Sequence, residues 1–408
     1  MGIEIVCLLG DVIHMKESSR GEHIENTVSV AVLGGGHAGR GLAAYLARRG
    51  LNVSLFNRTF ENIAAIAKHG GLDVSGVVNG FAPITTVTDD VAEAILGRDI
   101  LIVTVPAHAH RFYAESMAPF LEPGQLVLLM PGRTGGALEF AQVIGCLLET
   151  GDIMLGEAQT FTFVSRTTGP SSVKVSEVKN SVRVSAFPAT FNGLFLRRLR
   201  EIPLILEAAS DVLETSLNNI GAMLHPAPTI LSAGLLESRS GGYDHYIEGI
   251  SQSVGRLIEK MDAERMAVAS RFTRSPVSLI QWLKDSYNAS GTSLYECIQT
   301  VDAYVGVGSP STLQHRYVLE DIPTGLVPIS YFGKIAGVQT PAIDSIVEIA
   351  CQLYDIDFWT IGRNPHSLGL VGMTTDEIKE YVAGGFGFSD EVSVDEPVDI
   401  YEMEMNRW

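Results

Sequence analysis

The sequence predicts an α/β chain: a doubly wound parallel sheet in the N-terminal half, followed by a mostly α-helical second domain. Three observations carry this prediction. A strand, a glycine-rich turn, a helix and a second strand succeed one another between Val28 and Phe56. Two later runs, Asp99–Val105 (DILIVTV) and Gln125–Met130, are continuously apolar, as strands covered on both faces must be. From about residue 208 the texture changes to long helical periodicity, in VLETSLNNIGAMLH, YIEGISQSVGRLIEKMDAERMAVASRF, VSLIQWLKDSY and PAIDSIVEIACQLY. At 408 residues and 46% hydrophobic content the chain is long enough for two cores.

The first strand, with Val28, Val30, Val32 and Leu33, runs into Gly34-x-Gly36-x-x-Gly39. The first glycine permits a tight turn, the second lets backbone approach a pyrophosphate, and the third lets helix pack on strand. The helix AGRGLAAYLARRG then ends at Gly50, so its free N–H groups and dipole can face phosphate. Because the motif sits between a strand and a helix, with Val53–Phe56 as the next strand, it reads as a Rossmann-type dinucleotide site rather than an empty glycine turn.

Dinucleotide preference is set at the end of that second strand, where NAD readers usually carry Asp or Glu for the ribose hydroxyls. Here the residues are Asn57-Arg58-Thr59. A carboxylate would repel the 2′-phosphate of NADP, whereas a guanidinium pairs with it and a hydroxyl donates to it. NADP is the expected cofactor and NAD the alternative. A solvated strand-end arginine is the competing reading of Arg58.

Further along, Glu61–His69 reads as a short helix, and Leu72–Val87 as β-rich pieces forming a small hairpin beside the main sheet. The run Asp99–Val105 ends in Pro106-Ala107-His108-Ala109-His110, and Gln125–Met130 ends in Pro131-Gly132-Arg133-Thr134-Gly135-Gly136 before a helix over Ala137–Leu148. Ligands of open parallel sheets bind beyond the carboxyl ends of strands, so these loops should share one crevice with the glycine turn. Asp152–Phe163 and Ser172–Ala186 are expected to complete the sheet. The resulting division is an extension over 1–27, a dinucleotide-binding domain over 28–207, a helical domain over 208–384 and an acidic tail over 385–408.

Two constellations offer chemistry. His225 stands at the end of a helical stretch containing Asn218 and Ala222, which share its face by spacing, and Pro226 forces the helix to bend or stop there. It is either an acid/base histidine projecting into a cleft or a helix-terminal histidine bonding free carbonyls. Arg316, Glu320 and Asp321, in LQHRYVLEDIPTGLVP, could orient a histidine and clamp a substrate carboxylate. On chemistry alone a solvated loop is the commoner outcome for such a cluster.

Taken together, GGGHAGRGLAAYLA, VPAHAH, PGRTGGALEF, Gly156-Glu157, NNIGAMLHPAPTIL, YIEGISQSVGRLIEKMDAER and RYVLEDIPTGLVPIS, in this order, resemble the octopine/nopaline dehydrogenase family, bacterial opine dehydrogenases above all. The resemblance spans roughly Val28 to Val382, and its second-domain blocks are not shared by general Rossmann enzymes. It implies reductive condensation of an α-keto acid such as pyruvate with the amino group of an amino acid, and the reverse oxidation. It also implies that His225 is the catalytic histidine, Asp321 the aspartate paired with it, and Arg316 the arginine near the substrate carboxylate. Gly34, Gly36, His37, Ala38, Gly39, Asn57, Arg58, Thr59, Pro106 and Ala107 are the expected cofactor contacts. The chain departs from its relatives at Asn57-Arg58, where they carry an acid. Two rival readings stay open at this stage: a simple 2-keto acid reductase of the ketopantoate type, and a non-catalytic NADP-binding protein that recruits a partner through its tail.

Charge and cysteine usage narrow the setting. A formal net charge of −18 disfavours nucleic acid and anionic membrane surfaces as partners. Part of the excess lies beyond residue 389, where Asp390, Glu391, Asp395, Glu396, Asp399, Glu402 and Glu404 face the single base Arg407. Cys7, Cys146, Cys297 and Cys351 show no metal-binding spacing and read as buried thiols in a reducing compartment. No run suits a membrane span, the first residues lack the features of a signal peptide, and no metal site is expected. Cytoplasm and a homodimer complete the expectations.

Overall fold

The computed structural model describes residues 28–179 and 181–385, so the expectations for the N-terminal extension and for the tail beyond Gly385 fall outside the described residues. Twelve strands are found among these residues: β1 (Ser29–Leu33), β2 (Asn52–Phe56), β3 (Gly71–Gly76), β4 (Gly80–Pro83), β5 (Thr86–Thr88), β6 (Ile100–Val103), β7 (Leu126–Leu129), β8 (Met154–Ala158), β9 (Phe163–Gly169), β10 (Ser172–Val178), β11 (Val182–Phe187) and β12 (Leu206–Ala208). Eight make one sheet in the order β12-β11-β8-β7-β6-β1-β2-β5. From β5 to β8 neighbouring strands are parallel; β11 runs antiparallel to β8, with β12 parallel to it at the edge.

Strand order reverses at β1, which pairs with β2 on one side and β6 on the other. The crevice outside the carboxyl ends of β1 and β6 is therefore the topological switch point. Every residue of β6 and β7 is buried, which explains why their sequences are apolar without alternation. Each such side chain contributes roughly 1.5–3 kcal/mol by leaving water.

The helix His37–Arg48 is covered on two sides, by the main sheet and by a second sheet of order β4-β3-β10-β9. The β3–β4 hairpin expected from Leu72–Val87 is present in that second sheet, and β5 joins the main one. The expectation that all of Asp152–Phe163 and Ser172–Ala186 completes the main sheet is corrected. β8 and β11 do so, but β9 and β10 join the hairpin instead. The reason is one-sided burial: Val173 and Val175 are buried while Lys174 and Ser176 are exposed, a pattern suited to a sheet with one wet face. Gly41 permits this layering, since a Cβ there would lie 2.6 Å from Ser165.

The helical half is built around Gln252–Phe272. Inside it Arg265 donates to Asp262 Oδ1 at 2.9 Å and to the Leu217 carbonyl at 2.8 Å, while Asp262 Oδ2 accepts from Leu279 N at 2.7 Å. The stretch VLETSLNNIGAMLH is not the single helix that its periodicity suggests. It divides into Val212–Leu217 and Gly221–Leu224, followed by Pro226–Leu231. Asn218 breaks it: its side chain donates to the Glu214 and Ser275 carbonyls and accepts from Val277 N, competing with helix propagation. Asn218, Ala222 and His225 consequently do not line one helical face. The buried-thiol expectation holds for Cys297, whereas Cys146 is exposed and Cys351 half-buried; all three are free.

Arg363 fastens the second half to the loops of the first. Only 2% exposed, it donates from Nε to Glu139 Oε2 at 2.8 Å and from one terminal nitrogen to the Gly132 and Thr134 carbonyls at 3.0 and 2.9 Å. Its other terminal nitrogen reaches the Ala107 carbonyl at 3.2 Å and His110 Nδ1 at 3.0 Å. Burial, then the Arg363 charge, holds His110 well below its ordinary pKa, so the ring is neutral and accepts at Nδ1. Arg363→Met would leave Glu139 buried without its cation. It should lower the free energy of urea unfolding by about 3–5 kcal/mol; an unchanged midpoint and slope would contradict this role.

Candidate active site

At the glycine turn each position meets a different steric condition. A Cβ on Gly34, whose φ is +123°, would sit 2.8 Å from Thr104 Oγ1, and one on Gly39 would sit 1.7 Å from the Gly34 carbonyl oxygen. A Cβ on Gly36 would meet nothing within 4 Å. The turn is thus closed behind Gly34 and Gly39 and open at Gly36. The helix that starts at His37 has no side-chain cap and no acid in its first turn. An uncapped twelve-residue helix with an open glycine at its start fits a dinucleotide pyrophosphate.

The remaining expected cofactor residues differ in availability. Gly36, His37, Arg58, Thr59 and Pro106 are exposed and Ala38 is half-buried. His37 Nδ1 accepts from Thr167 N at 3.1 Å, and burial followed by the charges of Arg166, Arg40 and Arg316 lowers its pKa, so the ring is neutral. Asn57 braces the glycine turn: its Oδ1 accepts from Gly35 N at 3.0 Å and its Nδ2 donates to the Thr59 carbonyl at 2.8 Å. Arg58 lies 5.4 Å above the Phe112 ring. Ala107, expected at the cofactor, is 1% exposed, and both of its backbone polar groups face the helical half; its N–H donates to Glu320 Oε1 at 3.3 Å.

The two constellations that the sequence keeps apart meet in space. His225 Nδ1 lies 2.7 Å from Asp321 Oδ2. An ionised carboxylate only accepts, so Nδ1 carries the proton and Nε2 is left for other partners; the Tyr246 hydroxyl stands 3.2 Å from it. The imidazole stacks on Tyr317, with ring centroids 4.2 Å apart and planes 12° from parallel. Small residues permit the approach. Gly325, in the π-turn Ile322–Leu326 after Asp321, would with a Cβ come 2.7 Å from Ala222 Cβ, and Gly221 would come 2.6 Å from Arg133.

Glu320 and Asp321 do not form a solvated loop, because their side chains are 2% and 0% exposed. What makes the difference is Arg133, from PGRTGG at the end of β7. It places Nε 3.2 Å from Glu320 Oε1 and a terminal nitrogen 3.4 Å from Asp321 Oδ1. Its backbone is left-handed, with φ +60°, a conformation uncommon outside glycine and frequent at functional sites. Burial alone would raise the Asp321 carboxyl, but the charges of Arg133 and His225 and the hydrogen bond from His225 outweigh it and hold the carboxyl well below the usual range. Arg316, with 54% of its side chain exposed, places Nε 3.1 Å from Glu320 Oε2, and its terminal nitrogens make no hydrogen bond among the described residues.

Sequence reasoning missed Arg133, Tyr246, Tyr317 and Arg363. Arg133 carried a usable signal, since it occupies a strand-end loop in a quoted motif. Arg363 carried none, because its partners lie more than 220 residues away. Glu157, which was noted only within its motif, accepts from Ala137 N, Thr215 Oγ1 and Ser216 Oγ at 2.8, 2.6 and 2.8 Å. It thereby holds the helix Gly136–Glu149 against the segment leading to His225, and burial raises its pKa. Among the described residues no cluster suits a metal ion.

Comparison with known proteins identifies both halves of the chain. Residues 208–354 match the family described as NAD/NADP octopine/nopaline dehydrogenase, alpha-helical domain, and residues 29–149 match the N-terminus of NAD-dependent glycerol-3-phosphate dehydrogenase. The chain is 38% identical over 355 residues to an opine dehydrogenase of Arthrobacter sp. (strain 1C), covering 86% of this chain and 98% of that protein. Among solved structures it is similar to octopine dehydrogenase in complex with NADH and agmatine, with a TM-score of 0.73 at 22% identity, covering 90% of this chain and all of that one. It is also similar to an NADP+-bound yersinopine dehydrogenase, with a TM-score of 0.62 at 15% identity over 88% of this chain and 99% of that one. The chain belongs to the octopine/nopaline dehydrogenase family, NAD(P)H-dependent oxidoreductases that join an α-keto acid reductively to the amino group of an amino acid and, in reverse, oxidise the CH–NH bond.

Proposed function

We propose that His225 and Asp321 are the acid/base pair of this opine dehydrogenase, that Arg316 binds the carboxylate of a pyruvate-like keto acid, and that NADP is the preferred coenzyme. The observation that carries the reading is the 2.7 Å contact between His225 Nδ1 and Asp321 Oδ2 on the helical half. It lies beside Glu320, which accepts from the loop following β6 at the switch-point crevice.

The pair's chemistry follows from this geometry. With Nδ1 held by Asp321, the imidazolium can donate only from Nε2, toward the carbonyl oxygen of the keto acid as the amine adds to it. The ammonium of that adduct returns a proton to Nε2, which passes it to the hydroxyl, so that water leaves and a protonated imine remains. Asp321, kept ionised by Arg133, stabilises the charged ring throughout. Nε2 must leave Tyr246 or share its hydroxyl to do this. The half-exposed Arg316 orients the adjacent carboxylate through its terminal nitrogens. The dinucleotide, when bound, supplies hydride to the imine carbon.

Support for NADP comes from the strand end, where Arg58 is exposed and the neighbouring residues Asn57 and Thr59 add no negative charge. The domains are taken as 28–207 and 208–384. A homodimer in the cytoplasm is part of this reading; among the described residues no helix is long and apolar enough to cross a membrane.

Incubating the protein with NADPH or NADH, pyruvate or 2-oxoglutarate, and a panel of amino acids should show coenzyme oxidation that requires both organic substrates. Oxidation by keto acid alone, indifferent to added amines, would refute the condensation. His225→Ala should lower turnover by about two to four powers of ten while leaving coenzyme affinity nearly unchanged; full activity in that variant would remove His225 from the mechanism. Arg58→Ala should weaken NADPH selectively in binding titrations, and equal losses for NADPH and NADH would count against the NADP assignment.

A further inference from the structure

Opine formation brings two carboxylate-bearing molecules together in one cleft, and the charges already there leave at least one carboxylate unmatched. Arg133 and Arg316 contribute two positive charges and Glu320 and Asp321 two negative ones, joined in one chain of ion pairs: Arg316 to Glu320, Glu320 to Arg133 and Arg133 to Asp321. This cluster is neutral as a whole. His225 adds a charge only while protonated.

A further cation lies within reach of the Arg133 charge. Lys179 follows β10 and is half-buried. Its Nζ donates to Thr160 Oγ1 at 2.8 Å, and among the described residues no carboxylate oxygen lies within ion-pair range of it. Its backbone N–H donates to the Thr162 carbonyl at 2.9 Å, fixing it to the segment that leaves β8. That segment borders the site on both sides: Gly132 N, next to Arg133, donates to the Ala158 carbonyl at 3.0 Å, and Gln159 Nε2 donates to the Asn218 carbonyl at 3.0 Å. Lys179 therefore stands at the carboxyl edge of the sheet, between the loop that carries Arg133 and the segment leading to His225. Burial lowers its pKa to about 8, Glu177 opposing and the Arg133 charge adding to the drop. Glu177 also bears on Tyr287 of the helical half, which adjoins Tyr304, itself stacked on Tyr246. A half-buried ammonium held by one hydroxyl has two donors left for an anion.

We propose that Lys179 is the anchor for the carboxylate of the amino-acid substrate, leaving Arg316 to take that of the keto acid. This rests on the condensation reading above. It assigns the preference for amino acids over simple amines to one side chain.

The test compares an amino acid that the wild-type protein accepts with the primary amide of the same amino acid, at saturating keto acid and coenzyme. Wild type should favour the acid by at least about tenfold in kcat/KM. Lys179→Met should raise the amino-acid KM by about 10–100-fold, the loss expected for one charge-assisted hydrogen bond. The amide KM, the keto-acid KM and the coenzyme affinity should stay within about threefold, and Lys179→Arg should recover part of the discrimination. A keto-acid KM that rises in place of the amino-acid KM would overturn the assignment, as would an unchanged acid-to-amide ratio in Lys179→Met. Lack of discrimination by the wild type itself would overturn it even if the variants failed to fold. Absence of any wild-type turnover with keto acid plus amino acid would refute the condensation reading instead, so the two failures are distinguishable.

Discussion

Burying two adjacent carboxylates is the constraint from which the rest of this structure follows. Glu320 and Asp321 are taken almost completely out of water, and two neighbouring charges of one sign cannot remain ionised there unless cations and N–H donors meet them. Arg133 comes from the end of a sheet strand, Arg316 from the preceding turn, His225 from a broken helix nearly a hundred residues earlier, and the Ala107 N–H from the loop after β6. Satisfying the pair therefore joins the dinucleotide-binding half to the helical half. The same requirement keeps Asp321 ionised and fixes which nitrogen of His225 is free. Interdomain adhesion and the proposed acid/base chemistry thus share one set of ion pairs, with Arg363 adding a second buried fastening between the same loops.

Steric economy at a few small residues makes that arrangement possible. Gly221, Ala222 and Gly325 let the segment carrying His225 sit directly on the turn carrying Asp321 and against Arg133. Gly34 and Gly39 close the phosphate turn from behind, and Gly132 leaves room for the Glu157 carboxylate, which a Cβ would approach to 2.2 Å. Glu157 in turn caps the helix Gly136–Glu149 and holds Thr215 and Ser216. Glycines in both halves thus serve close approach of polar groups more than flexibility.

The charge distribution runs against the net charge of the chain. A polypeptide of formal charge −18 gathers Arg58, Arg133, Arg166, Arg316 and Lys179 around a single crevice; the fields of Arg166 and Arg316 both reach His37 and Tyr317. Keto acids and dinucleotides are anions and an amino acid presents a carboxylate, so local complementarity favours the crevice over the rest of the surface.

What the sequence determined by itself is what short-range sterics and periodicity dictate. The glycine spacing at 34, 36 and 39, the buried strands β1, β6 and β7, the hairpin after Leu72 and the helical texture beyond residue 208 were all legible, because each depends on neighbours within a turn or a strand. The ordered family blocks pointed to His225, Arg316 and Asp321 without saying why they should meet. Tertiary structure alone decided the rest. Asn218 breaks a helix whose hydrophobic period is intact, because its amide binds groups near residue 276. β9 and β10 leave the main sheet because a helix offers them a face to cover. Arg133 turns an acidic stretch that local composition assigns to solvent into a buried site. In each case the deciding partner lies dozens to hundreds of residues away, and hydrogen bonds and ion pairs at that range leave no periodic mark on the chain.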